Sequence, residues 1–215
     1  MIYRKGEGPT FLSDFEIEQA NATILNAWQP QHDIALFVPC SWAKPYSQSF
    51  VHFSIRRELL IAGLLDRVDY IHISSIGVVP YDVEDWYPFC AYDWNNANVR
   101  NPWTFRALQI SMLARLIKFM QRFQGAWRKS LFYFREGSHT IEVVRGLPPD
   151  ILTEKTHFLG QVPTSKIEIV PIHPLASDDF WTEIELLVGY REPDAVLTCD
   201  QAMDQLFNAL KEALG

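Results

Sequence analysis

The sequence IALFVPCSWAKPYSQSFVH, residues 34–52, decides how this chain is expected to fold. It begins with a continuous apolar run, Ile34 to Val38, which is typical of a strand buried on both faces of a sheet. Pro39 and Pro45 then keep the following loop from continuing as a strand or a helix. This loop carries a thiol, an ammonium, a phenol, hydroxyls and an imidazole. Because open α/β sheets usually bind ligands at the carboxyl ends of their strands, the loop is the first candidate for a functional site.

Periodic patterns around this stretch predict alternating helices and strands. Residues 13–28 predict a helix, with Ser13 as its N-cap and Glu16 completing a capping box. Ser49 to Leu65 predicts a second helix, and Asp69 to Ser75 predicts a second strand. A strand, a helix and a strand in this order form a right-handed βαβ unit with parallel strands.

The second half of the chain continues the alternation. Residues 76–102 lack a long periodic run, which predicts a long loop with one short helix near Val83 to Trp86; loops of this length are usually functional. The remaining segments predict helices at Thr104–Gln124, Asp178–Gly189 and Cys199–Leu214 and a short helix at Ser138–Arg145. They also predict strands at Leu131–Arg135 and Lys166–Ile172 and a loop over residues 148–166. Since no repeat or linker interrupts the pattern, the sequence predicts a single α/β domain over residues 1–215.

Composition restricts the class of protein. Hydrophobic residues make up 48% of the 215 residues, which is enough for a sizeable core. No apolar run approaches the length of a membrane span, and the N-terminal residues lack a secretory signal, so we expect a cytoplasmic protein without membrane contact. The three cysteines are too few for a disulfide framework, and closely spaced metal ligands are missing. The sequence therefore predicts neither a metal site nor a cofactor.

The charge balance argues against strong independent binding to nucleic acid. The formal net charge is −7, whereas contacts to phosphates need clustered lysine and arginine. One modest basic run is interpreted as the solvated face of an amphipathic helix; it comprises Arg115, Lys118, Arg122, Arg128 and Lys129. A large nucleic acid can still be the substrate if another domain or protein holds it.

Two stretches resemble the archaeosine synthase family. The first matches the family signature from residue 39 to residue 52, in the order Pro39-Cys40, three residues, Lys44-Pro45-Tyr46, two residues, Ser49, two residues and His52. The second comprises Ser75-Ile76-Gly77-Val78-Val79-Pro80, Glu84, Tyr87-Pro88 and Tyr92-Asp93. The similarity is strong over residues 34 to 95, and the remainder shares only the general α/β pattern.

This resemblance implies a fold and a reaction. Archaeosine synthases are related to tRNA-guanine transglycosylases, and they attach the side-chain amine of free lysine to the nitrile of 7-cyano-7-deazaguanine in tRNA, which gives an amidine. Their catalytic domain resembles uracil-DNA glycosylases, so the expected fold is a three-layer α/β sandwich with a short, mainly parallel sheet. The expected partners are tRNA carrying 7-cyano-7-deazaguanine and free lysine.

The residue types in the first stretch suit nitrile chemistry, and four of them are candidate catalytic residues. A thiolate at Cys40 can add to the nitrile carbon and form a thioimidate, which lysine then displaces. Lys44 can lower the pKa of that thiol or stabilise negative charge on the nitrile nitrogen. His52 or Tyr46 can move the protons.

Further residues are expected to contact the substrate, namely Ser41, Ser49, Ser75, Gly77, Tyr92 and Asp93. Asp93 would hold an ammonium group of lysine, and Gly77 would provide backbone freedom or a close ligand approach. Aromatic side chains would stack on a flipped base or pack in the core; these are Trp86, Tyr87, Phe89, Tyr92 and Trp94. Three candidate residues also have a structural interpretation: Ser49 as a helix cap, His52 as a satisfied core histidine and Cys40 as a small buried hydrophobe.

Full-length archaeosine synthases also carry a transglycosylase-like region and usually an RNA-binding PUA domain, for which 215 residues leave no room. We therefore expect a separate transglycosylase-like partner to present the tRNA. The sequence leaves open two further functions: a non-catalytic binding or scaffold subunit for such a partner, or an enzyme that acts on a deazaguanine base in DNA or in free form.

Overall fold

A five-stranded sheet forms the centre of the computed structural model, which describes residues 13–92, 99–147, 166–172, 176–190 and 192–215. The strands are β1 (Ile34–Pro39), β2 (Asp69–Ser74), β3 (Gly77–Pro80), β4 (Lys129–Arg135) and β5 (Lys166–Ile172). Their order in the sheet is β3-β2-β1-β4-β5, and only the β2–β3 pair is antiparallel. The predicted mainly parallel sheet is confirmed.

Helices cover both faces of the sheet. They are α1 (Phe15–Ala27), α2 (Phe50–Ile61), α3 (Pro102–Arg122), α4 (His139–Arg145), α5 (Asp178–Val188) and α6 (Asp200–Leu214). One buried cluster joins the sheet to α1, α3 and α4, and a second joins its other face to α2, α5 and α6. This arrangement confirms the three-layer α/β sandwich. Within the described ranges, no helix is long and apolar enough to span a membrane.

The order of the strands reverses next to β1. The chain runs from β1 through α2 to β2 on one side, and later from β3 through α3 to β4 on the other side. Both neighbours are parallel to β1, with Phe37 opposite Ile71 of β2 and Phe132 of β4. All six residues of β1 are buried, as the apolar run predicts. A crevice outside the carboxyl ends of β1 and β4 is the usual ligand position in such a sheet.

Side-chain caps fix where the helices begin. Ser49 accepts a hydrogen bond from the backbone N–H of His52 at 3.1 Å and so begins α2. The N-cap of α1 is Asp14 instead of the predicted Ser13. The Asp14 carboxylate accepts hydrogen bonds from the N–H groups of Glu16 and Ile17, and its charge also favours the helix N-terminus. The predicted capping box is therefore wrong.

The prediction of an irregular loop over residues 76–102 is wrong at its start. Gly77–Pro80 forms β3, a short edge strand that returns directly along β2. Ser74 closes the tight connection, because its hydroxyl donates to the Gly77 carbonyl at 2.9 Å and accepts from the Gly77 N–H at 3.1 Å. A 3-10 turn at Tyr81–Val83 replaces the helix expected near residues 83–86. The predicted loop over residues 148–166 lies, up to residue 165, outside the described residues.

One member of the basic run does not face solvent. Lys118 and Arg122 are exposed, but Arg115 is only 8% exposed. Its guanidinium lies 2.5 Å from a carboxylate oxygen of Glu18 on α1 and donates to the Ser75 carbonyl at 3.4 Å. The interpretation as a solvated face is wrong for Arg115, because this side chain connects α3 to α1 and to the β2–β3 turn.

Candidate active site

Cys40 is the first residue after β1, and the sheet holds its backbone in place. Its N–H donates to the carbonyl of Ile73 at 3.1 Å, and the backbone N–H of Ser75 donates to the Cys40 sulfur, which favours the thiolate. Burial raises the pKa of the Cys40 thiol, while the nearby Lys44 ammonium opposes this effect only in part. Lys44 thus lowers the pKa of the thiol, as expected, but the effect of burial is larger, so the net pKa is raised. In the resting protein Cys40 is a thiol.

The Lys44 ammonium contacts two tyrosine rings and a backbone carbonyl. Nζ donates to the carbonyl of Ser41 and lies 4.6 Å from the ring centroid of Tyr46 and 4.5 Å from that of Tyr92. Burial lowers the pKa of Lys44 to about 8, although Cys40 and Glu84 favour its charged form. Near neutral pH this group can therefore both give and take a proton, which an ordinary surface lysine does not do.

Two buried phenols form the wall behind Lys44. The hydroxyls of Tyr46 and Tyr92 are 2.9 Å apart, and Ser74 also hydrogen-bonds to them. Burial raises the pKa of both tyrosines, so both stay protonated at physiological pH. The Tyr46 ring stacks on His72 of β2 with centroids 4.5 Å apart. Tyr46 and Tyr92 are therefore neutral hydrogen-bond donors beside the ammonium.

A pair of neutral imidazoles lies beneath the phenols. His52 packs edge-on against His72 with centroids 4.6 Å apart, and its Nδ1 is 2.9 Å from the hydroxyl of Tyr70. Burial lowers the pKa of both histidines, so neither carries a charge at neutral pH. A backbone hydrogen bond to Pro39 offsets this effect in part for both histidines. His52 thus occupies a core position and is separated from Tyr46 by the ring of His72.

Glu84 ties the Cys40 loop to the sheet. Its buried carboxylate accepts a hydrogen bond from the N–H of Ser47 at 3.1 Å, and one oxygen lies 3.3 Å from Nε2 of His72. Sequence reasoning placed Glu84 in a family-like stretch without assigning it a role, and it missed His72 and Tyr70. The signal was present, because Tyr70, His72 and Ser74 alternate with isoleucines and so share one face of β2.

Three serines among the expected substrate contacts have hydrogen-bond partners within the protein. The Ser41 hydroxyl donates to the Ala43 carbonyl at 3.4 Å, Ser49 caps α2, and the Ser75 carbonyl accepts from Arg115. A Cβ atom at Gly77 would overlap the side-chain amide of Asn21, with its Cγ at 2.9 Å. Gly77 therefore accommodates a side chain of α1. Asp93 lies outside the described residues.

The aromatic residues that follow β3 divide between core and surface. Phe89 and Tyr92 are fully buried; Phe89 packs in the core, whereas Tyr92 lies beside the Lys44 ammonium. Trp86 is exposed, and the Tyr87 hydroxyl donates to Glu16 of α1 at 3.1 Å. Trp94 lies outside the described residues. In the described part of the chain, no group of three or more His, Cys, Asp or Glu side chains could hold a metal ion.

Comparison with known proteins gives three matches. The profile of a family described as a domain of unknown function (DUF5591) matches residues 17–129. Archaeosine synthase subunit alpha of Thermoplasma acidophilum is 42% identical over 138 residues, which are 62% of this chain and 25% of that protein. The chain thus spans about a quarter of the length of this relative. The match confirms the resemblance seen in the two motif stretches.

The third match concerns the fold alone. The crystal structure of AF0587, a protein of unknown function, superposes with a TM-score of 0.51 at 17% identity. The match covers 89% of this chain and 49% of that one. The expected likeness to uracil-DNA glycosylases stays a prediction.

Proposed function

Because this chain belongs to the DUF5591 family and resembles an archaeosine synthase subunit, we propose that it is a tRNA-modifying enzyme domain. Its reaction joins the side-chain amine of lysine to the nitrile of 7-cyano-7-deazaguanine in tRNA. The observation that carries this proposal is the position of the Lys44 ammonium, which contacts the Ser41 carbonyl and the rings of Tyr46 and Tyr92 and acts electrostatically on the Cys40 thiol, at the switch point of the sheet. Covalent catalysis on a nitrile needs a sulfur nucleophile and a group that exchanges protons next to it.

The first step follows from the protonation states of these two groups. Neutral Lys44 takes the proton from the Cys40 thiol while the sulfur attacks the nitrile carbon. The ammonium so formed gives this proton to the nitrile nitrogen. The S–H bond and one π bond of the nitrile break, one S–C bond and one N–H bond form, and the product is a neutral thioimidate. Because the pKa of Cys40 is raised, the attack depends on this local base.

In the second step the lysine substrate displaces the sulfur. Its neutral side-chain amine adds to the thioimidate carbon, the C–S bond breaks, and an amine proton returns to the sulfur through Lys44. The amidine leaves and Cys40 is again a thiol. Tyr46 and Tyr92, both protonated, orient Lys44 and supply hydrogen bonds to the developing charge. His52 has a positioning role: it packs against His72, and the His72 ring in turn supports the ring of Tyr46.

The acidic chain favours a role for a partner protein. A net charge of −7 supports the proposal that a transglycosylase-like partner in the cytoplasm presents the tRNA. The expected contacts of Ser41, Ser75, Gly77 and Asp93 with the modified base or lysine stay predictions, as does the assignment of residues 1–215 to one domain.

Transfer of labelled lysine tests the proposed function. The protein is mixed with labelled lysine and tRNA carrying 7-cyano-7-deazaguanine, with and without candidate transglycosylase-like partners. We expect label in this tRNA and none in matched tRNA with guanine at the same position. Parallel samples with the nitrile base in DNA and in free form show which substrate is used. Binding of the modified tRNA without transfer under every condition contradicts an enzyme and supports a binding module.

A further inference from the structure

Arg135 brings a second charged group to the edge that carries Cys40. It is the last residue of β4, which runs parallel to β1. The register pairs Ile34 with Lys129 and Phe37 with Phe132. If this register is extended by three residues, Arg135 lies opposite Cys40, and the backbones of the two strands are about 4.8 Å apart. Arg135 and Cys40 therefore lie at the same edge of the sheet, which is the edge at which open α/β sheets bind ligands.

The guanidinium is held in one orientation. Nε donates to a carboxylate oxygen of Asp194 at 2.7 Å, and Nη1 donates to the Glu136 carbonyl at 3.3 Å. Among the described residues, the hydrogen bonds of Arg135 use only these two nitrogens. Arg135 and Asp194 keep 26% and 22% of their side-chain surface exposed, so solvent or a ligand can reach the pair. An oriented guanidinium can bind a carboxylate through two parallel hydrogen bonds.

Two carboxylates complete this cluster. Asp194 and Glu192 both lie near enough to Cys40 to raise the pKa of its thiol. Glu192 also accepts a hydrogen bond from the Tyr190 hydroxyl at 2.8 Å. These negative charges hinder ionisation of the nucleophile, so the chemistry at the nitrile does not explain them.

The ion pair is also not needed to fix the segment that carries Asp194. This segment, the 3-10 helix Pro193–Thr198, is already joined to β4, because the Tyr133 hydroxyl donates to the Leu197 carbonyl at 2.8 Å. Its residues Ala195, Val196 and Leu197 are buried. The guanidinium of Arg135 and the carboxylates of Asp194 and Glu192 therefore suit a ligand that carries both a negative and a positive charge.

We propose that Arg135, Asp194 and Glu192 bind the α-carboxylate and α-ammonium groups of a free α-amino acid whose side chain ends in an amine. The inference rests on the proposed function, in which lysine attacks a carbon held on Cys40. Arg135 binds the α-carboxylate and the two acidic residues bind the α-ammonium group. The methylene chain then directs the side-chain amine along the crevice toward Cys40. Recognition of both α-groups excludes diamines and lysine within a polypeptide.

Calorimetric titration of the whole protein with three ligands tests this subsite without any turnover. The ligands are lysine, cadaverine, which lacks the α-carboxylate, and 6-aminohexanoic acid, which lacks the α-ammonium group. We expect each analogue to bind at least about tenfold more weakly than lysine, because each loses one charge-assisted interaction. In Arg135→Gln, lysine binding weakens to the level of cadaverine, and cadaverine binding stays unchanged.

Two further variants separate recognition from folding. Arg135→Gln leaves the Asp194 carboxylate without its partner, so its melting temperature is measured beside its affinity. Arg135→Lys keeps a positive charge next to Asp194 but loses the planar fork, so we expect a folded protein with reduced preference for lysine over cadaverine. Arg145→Gln is the matched control, since Arg145 pairs with Glu136 and Glu142 at the surface and is expected to leave all affinities unchanged.

Equal affinities of the wild-type protein for cadaverine and lysine would overturn the subsite. The subsite would also be overturned if both Arg135 variants preferred lysine over cadaverine as strongly as the wild-type protein does. The outcomes also separate the two proposals. A preference for lysine that depends on Arg135, without label in any nitrile substrate, contradicts the proposed function and supports the subsite. Lysine transfer with an unchanged preference in the Arg135 variants rejects the subsite alone.

Discussion

The sheet carries two buried clusters of rings whose chemistry differs. The aromatic cluster packs between the sheet, α1 and α3; it comprises Trp28, Phe37, Phe119, Phe123, Trp127 and Phe132. Its two indole N–H groups have partners, since Trp28 donates to Asp82 at 2.8 Å and Trp127 donates to Asp69 at 2.7 Å. The Cys40 cluster instead combines rings with ionisable groups; it comprises Cys40, Lys44, Tyr46, His52, Tyr70, His72, Glu84 and Tyr92.

This difference separates stability from chemistry. Apolar rings with satisfied N–H groups stabilise the fold through burial. Buried ionisable groups cost free energy, and shifted pKa values are typical of functional sites. Substitutions in the aromatic cluster should therefore lower stability and leave the activity of the folded protein unchanged. Substitutions in the Cys40 cluster should do the reverse.

Cys40→Ala should give the largest effect on lysine transfer. We expect the rate to fall by at least about a thousandfold, because removal of the nucleophile abolishes the covalent route. Loss of one half-buried sulfur should change the free energy of unfolding little. Cys199→Ala, which lies at the N-terminus of α6, is the control and should retain its activity. A Cys40→Ala protein that is unfolded, or is as active as Cys199→Ala, would break the contrast between the clusters.

Trp127→Ala should give the largest effect on stability. The Trp127 side chain is 2% exposed and packs against four other rings of the aromatic cluster, so we expect a loss of about 3–5 kcal/mol in denaturant unfolding. Trp103→Ala removes an indole that is 84% exposed and should change the free energy of unfolding by less than about 0.5 kcal/mol. Equal effects of the two substitutions would show that the aromatic cluster does not stabilise the fold.

Glu84→Gln should move the pH dependence of lysine transfer. Lys44 acts as a base only when neutral, so the rate rises with pH through its pKa of about 8. The Glu84 carboxylate favours the charged form of Lys44, so its removal lowers this pKa further. The rising limb should therefore move to lower pH by about one pH unit. A rate that instead falls as pH rises through 8 would assign Lys44 a role as a cation.

Ser49→Ala should give the smallest effect and should change stability alone. Loss of the bond from the His52 N–H to the Ser49 hydroxyl costs about 1 kcal/mol in the free energy of unfolding. Ser49→Thr keeps an N-cap hydroxyl and should recover most of this stability. A loss of transfer in Ser49→Ala beyond the loss of folded protein would show that Ser49 also contacts the substrate.

Local patterns predicted the centre of the fold well. The apolar run from Ile34 to Val38 gave β1, and helical spacing after Ser49 gave α2. The family resemblance supplied the layer arrangement and placed Cys40 and Lys44 in one loop. These features are encoded by residues close together in sequence, so they can be recognised without knowledge of distant contacts.

The features that were missed depend on long-range contacts. β3 has four residues, too few for a periodic signal, and it exists because it pairs with β2. Arg115 is buried because Glu18, 97 residues away in sequence, lies on the neighbouring helix. The alternation along β2 places His72 on the polar face of that strand, but His72 becomes part of a site only because Tyr46 and Glu84, distant in sequence, pack against it.

The formation of a covalent bond at Cys40 tests the central claim most directly. The protein is mixed with the nitrile substrate without lysine, and the mass of the denatured protein is measured. We expect an adduct on Cys40 with the full mass of the substrate, because thioimidate formation loses no atom; after base-specific cleavage of the tRNA, the modified nucleotide should remain attached. The adduct should disappear when lysine is added and should not form in Cys40→Ser. Lysine transfer by Cys40→Ser at the wild-type rate, with no adduct on the wild-type protein, would contradict the account.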